Sequence, residues 1–255
     1  MPSSGSRRTA PRSRLLRGAA AAILCLLLAA TLLSGCYNPF RPPEVGAGIS
    51  SPPPPANSPS NVLRLLEWAY NRRAIAEYGE LFTRDYRFGF SALDPFGEAY
   101  RGDTWTREDE MISTRNLFQG GHATEPAAVG ITLFLDRSFN VRNDPRPGKN
   151  PRWHKSIRTS VSLTIVDPTK KTVVSGFANF FVVRGDSAVL PQELVDRGFG
   201  PDSTRWYIER WEDDTAQRSG PSASPAPPRT ASAQPAPASH RVSWGALKAI
   251  YRGPF

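Results

Sequence analysis

Two proline-rich tracts decide where this chain can pack. Residues 41–60 (RPPEVGAGISSPPPPANSPS) hold seven prolines, and residues 216–238 are built almost wholly from Ala, Pro, Ser, Gln, Thr, Gly and Arg. Proline has no backbone N–H and a fixed φ, and neither tract carries enough apolar side chains to offset the entropy of ordering it. The expected organisation is therefore one folded domain at 60–214 between an extended tether at 36–59 and a disordered linker at 215–238. Fully extended, the prolyl tract reaches about 60 Å at ~3.1 Å per residue. A last segment, 239–255 (SHRVSWGALKAIYRGPF), has helical spacing again. Trp244, Leu247 and Tyr251 fall on one stripe behind Ser243 as N-cap, with Gly253-Pro254 as a stop. It reads as a short helix docking back on the domain, with two alternatives open: a ligand for a partner's groove, or a membrane-surface foot using Arg241, Lys248 and Arg252.

The first 35 residues carry an address. Arg7, Arg8, Arg12, Arg14 and Arg17 form a positive region before the apolar run from Ala19 to Leu33, which is short for a membrane span. Small residues Ser34 and Gly35 follow, then Cys36. The tetrapeptide Leu33-Ser34-Gly35-Cys36 resembles the lipobox of bacterial lipoproteins, against a plain anchor helix or a conventionally cleaved signal. The resemblance implies a signal peptide at 1–35, an acylated Cys36 as mature first residue, and a membrane partner held through its acyl chains. Two or three such chains anchor stably where one is marginal. It also implies a bacterial cell envelope location, and Tyr37 in place of an aspartate points to an outer membrane, facing the periplasm. Cys25 would leave with the signal and Cys36 be consumed, so the mature domain has no thiol for disulfides, catalysis or metal.

Charge excludes another class. Of 32 Lys and Arg, ten lie outside 36–215, where there is no acid, leaving 22 against 23 Asp and Glu in the middle. A neutral domain has no basic nucleic-acid footprint, and no nucleic-acid partner is expected. The chain also lacks a Gly-x-Ser-x-Gly elbow, a Walker loop and a His-Glu-x-x-His pair, and its three histidines are isolated. No cofactor and no metal site follow from this. The acidic run Glu108-Asp109-Glu110 suits a helix start.

Within the domain the period changes once. Ser60 is expected to cap a first helix through about Arg73, with Val62, Leu63, Leu65, Leu66, Ala69 and Tyr70 on its apolar face. A second helix spans Ala74 to Phe82, and Tyr86 to Phe90 alternates as a brief strand. Thr106 and Asp109 resemble a capping box for a third helix ending at Gly120-Gly121. From Ala127 the period is two: Val129 to Leu135, Ile157 to Ile165, a run from Thr172 to Val183 apolar on both faces, and a closing strand from Arg205 to Asp213. Helices followed by long antiparallel strands make an α+β layer.

The opening VLRLLEWAYNRRAIAEYGELFTRDYRFGF and the closing Trp-Tyr-Ile-Glu-Arg-Trp-Glu strand resemble the NTF2-like (SnoaL-like) cone fold over 60–214. The resemblance implies three N-terminal helices on a curved antiparallel sheet around a conical cavity, used in that superfamily by isomerases, dehydratases, cyclases and binding modules. Fold alone does not choose among these. Candidate pocket residues are Tyr70, Asn179, Tyr207, Glu209 and Trp211, with Asp85 and Tyr86 after the second helix and His122 after the third as further candidates. Tyr207, Glu209 and Trp211 share one face of an ideal strand. Their alternatives are plain: Tyr70 and Tyr207 as core tyrosines with a hydrogen-bonded hydroxyl, Glu209 as a surface charge, His122 as a loop residue. No catalytic residue is assigned. The expectation is a non-enzymatic envelope module binding a small hydrophobic ligand or an envelope protein. The alternatives are an isomerase-, dehydratase- or cyclase-like enzyme and a self-associating structural homodimer.

Overall fold

The computed structural model describes residues 51–92, 94, 98, 100, 105–123, 125–215 and 239–253. The expected signal peptide at 1–35, Cys36, the expected tether up to residue 50 and the expected linker at 216–238 lie outside the described residues.

Helix α1 (Pro59–Arg72) is capped by Ser58, two residues before the expected cap. Ser58 accepts the Asn61 N–H at 3.1 Å, and Pro59 occupies the first helical turn, where its missing N–H costs nothing. The helix ends at Arg73 in a left-handed conformation (φ 53°). The segment before the helix also touches the domain: Ala56 is buried and its carbonyl accepts the Trp206 N–H at 2.7 Å, so the chain is held before the expected boundary at 59. Helix α2 is a short turn, Ile75–Gly79. Strand β1 (Phe82–Gly89) begins where the sequence pattern still read as helix. Phe82 packs edge-on against Tyr78 and Tyr86 at 4.9 and 4.5 Å, and this aromatic contact, with parallel pairing to the last long strand, overrides local periodicity. The capping box of α3 (Arg107–Arg115) is present, with the Thr106 N–H donating to Asp109 Oδ2 at 3.0 Å. A π-helical turn, Asn116–Gly120, completes it.

The strands follow as β2 (Gly130–Leu135), β3 (Val141–Asn143), β4 (His154–Val166), β5 (Lys171–Arg184), β6 (Trp206–Asp214) and β7 (Ser239–Arg241), with helix α4 (Gln192–Asp196) between β5 and β6 and helix α5 (Trp244–Arg252) last. The sheet order is β1-β6-β5-β4-β2, with β3 on β4 and β7 on β5; β1 runs parallel to β6 and β7 to β5, the rest antiparallel. This is the α+β architecture expected from the sequence, with α1 laid across β2 and β6 and α3 against β1.

β4 keeps strict alternation, burying Ile157, Thr159, Val161, Leu163 and Ile165. β5 does so only in part. Its C-terminal half, Phe180 to Val183, is buried on both faces, because Val183 packs outward against Leu194 of α4 and Tyr207 in a second small core. Its N-terminal half is covered on one face, and Phe177 is 46% exposed. β6 departs most from expectation. Phe181 pairs with Arg210 but Val182 pairs with Ile208, so Glu209 is an extra, bulged residue. The bulge shifts the side-chain phase by one: Ile208 and Trp211 both face the main core, while Tyr207 faces the second core.

Helix α5 is built into that main core. Ser243 caps it, accepting the Ala246 N–H at 2.8 Å, and Trp244, Leu247 and Tyr251 are buried. Trp244 meets Trp211 edge-on at 4.2 Å and Tyr70 at 5.5 Å. Gly245 is required by packing, since a Cβ there would lie 2.7 Å from Phe90 and 2.9 Å from Asp94. Asn116 and Ser113 of the α3 region hold the carbonyls of Tyr251 and Lys248 at 2.8 Å each. Trp244→Ala should therefore cost about 3–5 kcal/mol in urea unfolding, the usual loss for a fully buried tryptophan; a loss below about 1 kcal/mol would mean the helix is dispensable to the fold.

Candidate functional site

The most unusual chemistry lies where α5 meets α3. The acidic run at the start of α3 divides into three roles. Glu108 is exposed; Asp109 caps the helix and pairs with Arg252 at 2.7 Å; Glu110 points inward with no exposure. Glu110 Oε1 accepts the Tyr78 hydroxyl at 2.5 Å, the Thr114 hydroxyl at 3.4 Å and the Lys248 ammonium, while Oε2 accepts Trp105 Nε1 at 3.0 Å and the Tyr86 hydroxyl at 3.2 Å. Lys248 enters from α5, 2% exposed, with its Nζ 4.0 Å from the Trp211 ring centre and 4.8 Å from that of Phe88. Two aromatic faces and one carboxylate thus replace the ammonium's water.

The electrostatics follow from burial. Tyr70, Tyr78 and Tyr86 are held well above the ordinary tyrosine pKa, first by desolvation and then by the nearby Glu110 charge. Lys248 is pulled below the ordinary lysine value by desolvation, with the Glu110 charge opposing. A second carboxylate, Asp213, is buried beside the N-terminus of α5. It accepts the Gly245 N–H at 2.7 Å, the Thr215 N–H at 2.9 Å and the Thr215 hydroxyl. Desolvation nevertheless dominates these favourable bonds, and its pKa is raised to about 6.

A carboxylate between two tyrosines and a lysine has the parts of an acid–base set. Here those parts satisfy one another. Five donors already occupy the Glu110 oxygens, and a substrate atom would have to displace Lys248, which α5 fixes in place.

The residues singled out in the sequence are scattered by the fold. Tyr70 and Trp211 lie inside and meet through Trp244, whose Nε1 donates to the Tyr70 hydroxyl at 3.2 Å. Tyr207 belongs to the second small core. Glu209, displaced by the bulge, pairs with Arg146 at 2.8 Å and with Lys149, in a partly buried network that includes the buried Asp144, apart from the main core. Asn179 lines an outer cleft of about 590 Å³ with Arg142, Arg158, Phe177 and Phe181. Asp85 is exposed, Tyr86 joins Glu110, and His122 sits in a loop. The grouping of Tyr207, Glu209 and Trp211 on one face is corrected by the β6 bulge. Sequence reasoning missed Glu110, Asp213, Trp105 and Tyr78. Lys248 left a legible sign, being a charge inside the apolar stripe 244, 247, 248, 251. Among the described residues no group of three or more His, Cys, Asp and Glu is placed to hold a metal ion, and no helix is long and apolar enough to cross a membrane.

No protein-family model matches the chain, and a comparison with curated proteins finds no significant match. Solved structures similar to it include an NTF2-like superfamily protein from Salmonella enterica (14% identity over 64% of this chain and 91% of that one, TM-score 0.39). They also include ActVI-ORFA from Streptomyces coelicolor (12% identity, 60% and 90%, TM-score 0.37) and a conserved protein from Planctomyces limnophilus (13% identity, 60% and 89%, TM-score 0.39).

Two outcomes test the buried cluster. Lys248→Met leaves Glu110 charged without its cation and should destabilise by about 3–5 kcal/mol in urea, while Glu110→Gln with Lys248→Met should restore much of that stability. For Asp213, the folded carboxyl takes up its proton near pH 6, the unfolded one near about 3.9. Its contribution to stability is therefore full below the unfolded value and is lost as pH rises through 6. Stability should gain roughly 1 kcal/mol from this group between pH 7.5 and 5, and Asp213→Asn, which keeps an acceptor for Gly245 and Thr215, should remove that gain.

Proposed function

We propose that the chain is a lipid-anchored binding protein of a bacterial cell envelope, presenting one non-catalytic α+β domain that engages an envelope protein on its outer surface. The observation that carries this reading is helix α5. Trp244, Leu247, Lys248 and Tyr251 fill the space between α3 and the sheet, so that the chain's own helix holds the place a small ligand or substrate would take. With the interior committed to stability, recognition falls to the outside of the domain. There the sheet exposes Phe134 and Phe177, and a second cleft opens between β1, α3 and α4.

The anchor rests on the sequence alone. Leu33-Ser34-Gly35-Cys36 follows a positively charged start and a short apolar run, and the prolyl segment after it would hold the domain off the bilayer. An outer-membrane destination facing the periplasm follows from Tyr37. An enzyme of the isomerase, dehydratase or cyclase type has one observation in its favour, the Glu110–Tyr78–Tyr86 cluster, and would require α5 to withdraw during turnover.

In the native host, Cys36→Ala should move the protein out of the membrane fraction, and in-cell cross-linking of the unaltered chain should yield a discrete adduct with another envelope protein. Continued membrane retention of the variant after signal cleavage would sink the lipid anchor. Absence of any adduct would sink the partner-binding reading.

A further inference from the structure

Three elements meet to form a cleft of about 790 Å³: β1 contributes Arg84 and Arg87, α3 contributes Arg107 and Arg115, and α4 closes the third side with Glu193. The half-buried Met111 and Ile112 make its apolar floor. This concentration of arginine is unusual for this domain. Elsewhere several of its arginines are taken up by nearby acids: Arg64 by Glu67, Arg146 by Asp144 and Glu209, Arg158 by Asp214, Arg184 by Asp186, and both Arg197 and Arg205 by Glu80. In the cleft only Arg107 has a carboxylate, Glu193, and its Nη2 donates to the Gly79 carbonyl at 2.9 Å. Arg107 thus braces the cleft wall. Arg84, Arg87 and Arg115 have no carboxylate within ion-pair distance among the described residues, and Arg84 and Arg115 are exposed.

We propose that this cleft binds an extended acidic peptide segment of a partner protein. The inference rests on the partner-binding reading above and gives that partner its chemistry. Arg107, Met111 and Arg115 recur every four residues along one stripe of α3, so the two arginines stand about 12 Å apart at 1.5 Å per residue. An extended peptide rises about 3.3 Å per residue and sends alternate side chains to one side, so about four of its residues span that stripe. Carboxylates on one side meet guanidinium groups, whose planar forks suit them in bidentate fashion. Apolar side chains of the same segment cover Met111 and Ile112.

The chain's own flanking segments do not suit the cleft, because residues 1–35 and all residues after 215 contain no acid. Dense polyanions suit it poorly as well. Glu108 and Glu193 share the rim with four arginines, and a nucleic acid brings one charge per ~1.7 Å of duplex with no apolar side chains for the floor.

The probe is a fluorescein-labelled peptide of alternating Glu and Leu, titrated by anisotropy with the full chain in non-ionic detergent. Saturable binding is expected, weakening as NaCl rises because exposed charges more than about 10 Å apart are screened at 0.1 M salt. Arg84→Glu with Arg115→Glu should weaken it at least about tenfold, while Arg137→Glu with Arg142→Glu, an equal charge change on exposed residues outside the cleft, should leave it within about twofold. Circular dichroism melts check that both variants fold. Equal weakening by the two pairs, no binding, or tighter binding of an equally charged oligonucleotide would overturn the proposal. If the Arg84→Glu, Arg115→Glu protein still forms its cross-linked adduct in cells, the partner docks elsewhere: the cleft assignment falls and the partner-binding reading stands.

Discussion

The rest of the domain depends on one buried contact, the ion pair between Glu110 and Lys248. Burying two charges is expensive, and the pair is tolerated because five donors engage the Glu110 oxygens and the Trp211 and Phe88 rings face the ammonium. Tyr78 comes from α2, Tyr86 from β1, Trp105 from the approach to α3, and Lys248 from the last helix. Four segments, the last of them 138 positions from Glu110, are thereby forced into one register. A purely apolar core would tolerate sliding between α5 and α3; a buried carboxylate with five donors does not.

Around that contact the interior is predominantly aromatic. Tyr70 touches Tyr78, Phe118 and Trp244 edge-on at 5.3 to 5.5 Å, and Trp211 bridges Phe88, Phe180 and Trp244. Large rings fill a curved sheet with few residues, and edge-to-face geometry adds attraction beyond the area buried. The same rings account for the occupied interior. Once Trp244 stands against Trp211 and Tyr70, the space between α3 and the sheet is packed core.

Much of the fold was legible. The period-two run of β4, the capping box Thr106–Asp109 and the apolar face of α1 each follow from local spacing, because each element buries one face against a single layer. The departures came where a long-range contact overrode a local pattern. Phe82 read as helix and became strand through its ring contacts and the pairing with β6. The Tyr207, Glu209 and Trp211 grouping failed because a single bulged residue inverts every side chain after it. Glu110 sat in an acidic run that suits a helix start, and no local rule says which of three neighbouring acids turns inward.

By itself the sequence determined the two proline-rich tracts, the near-neutral charge of residues 36–215 and the α+β order of the elements between those tracts. These are properties of composition and of spacing within about ten residues, where backbone chemistry and amphipathic period act directly. The tertiary structure alone decided that the last helix enters the core, that Glu110 rather than Glu108 is its partner, that Glu209 pairs with Arg146 and Lys149 instead of facing that core, and that Arg84, Arg87, Arg107 and Arg115 share one cleft. Each of these joins residues far apart in the chain, and the energy that selects them, the removal of charges and rings from water, exists only once the layers have closed.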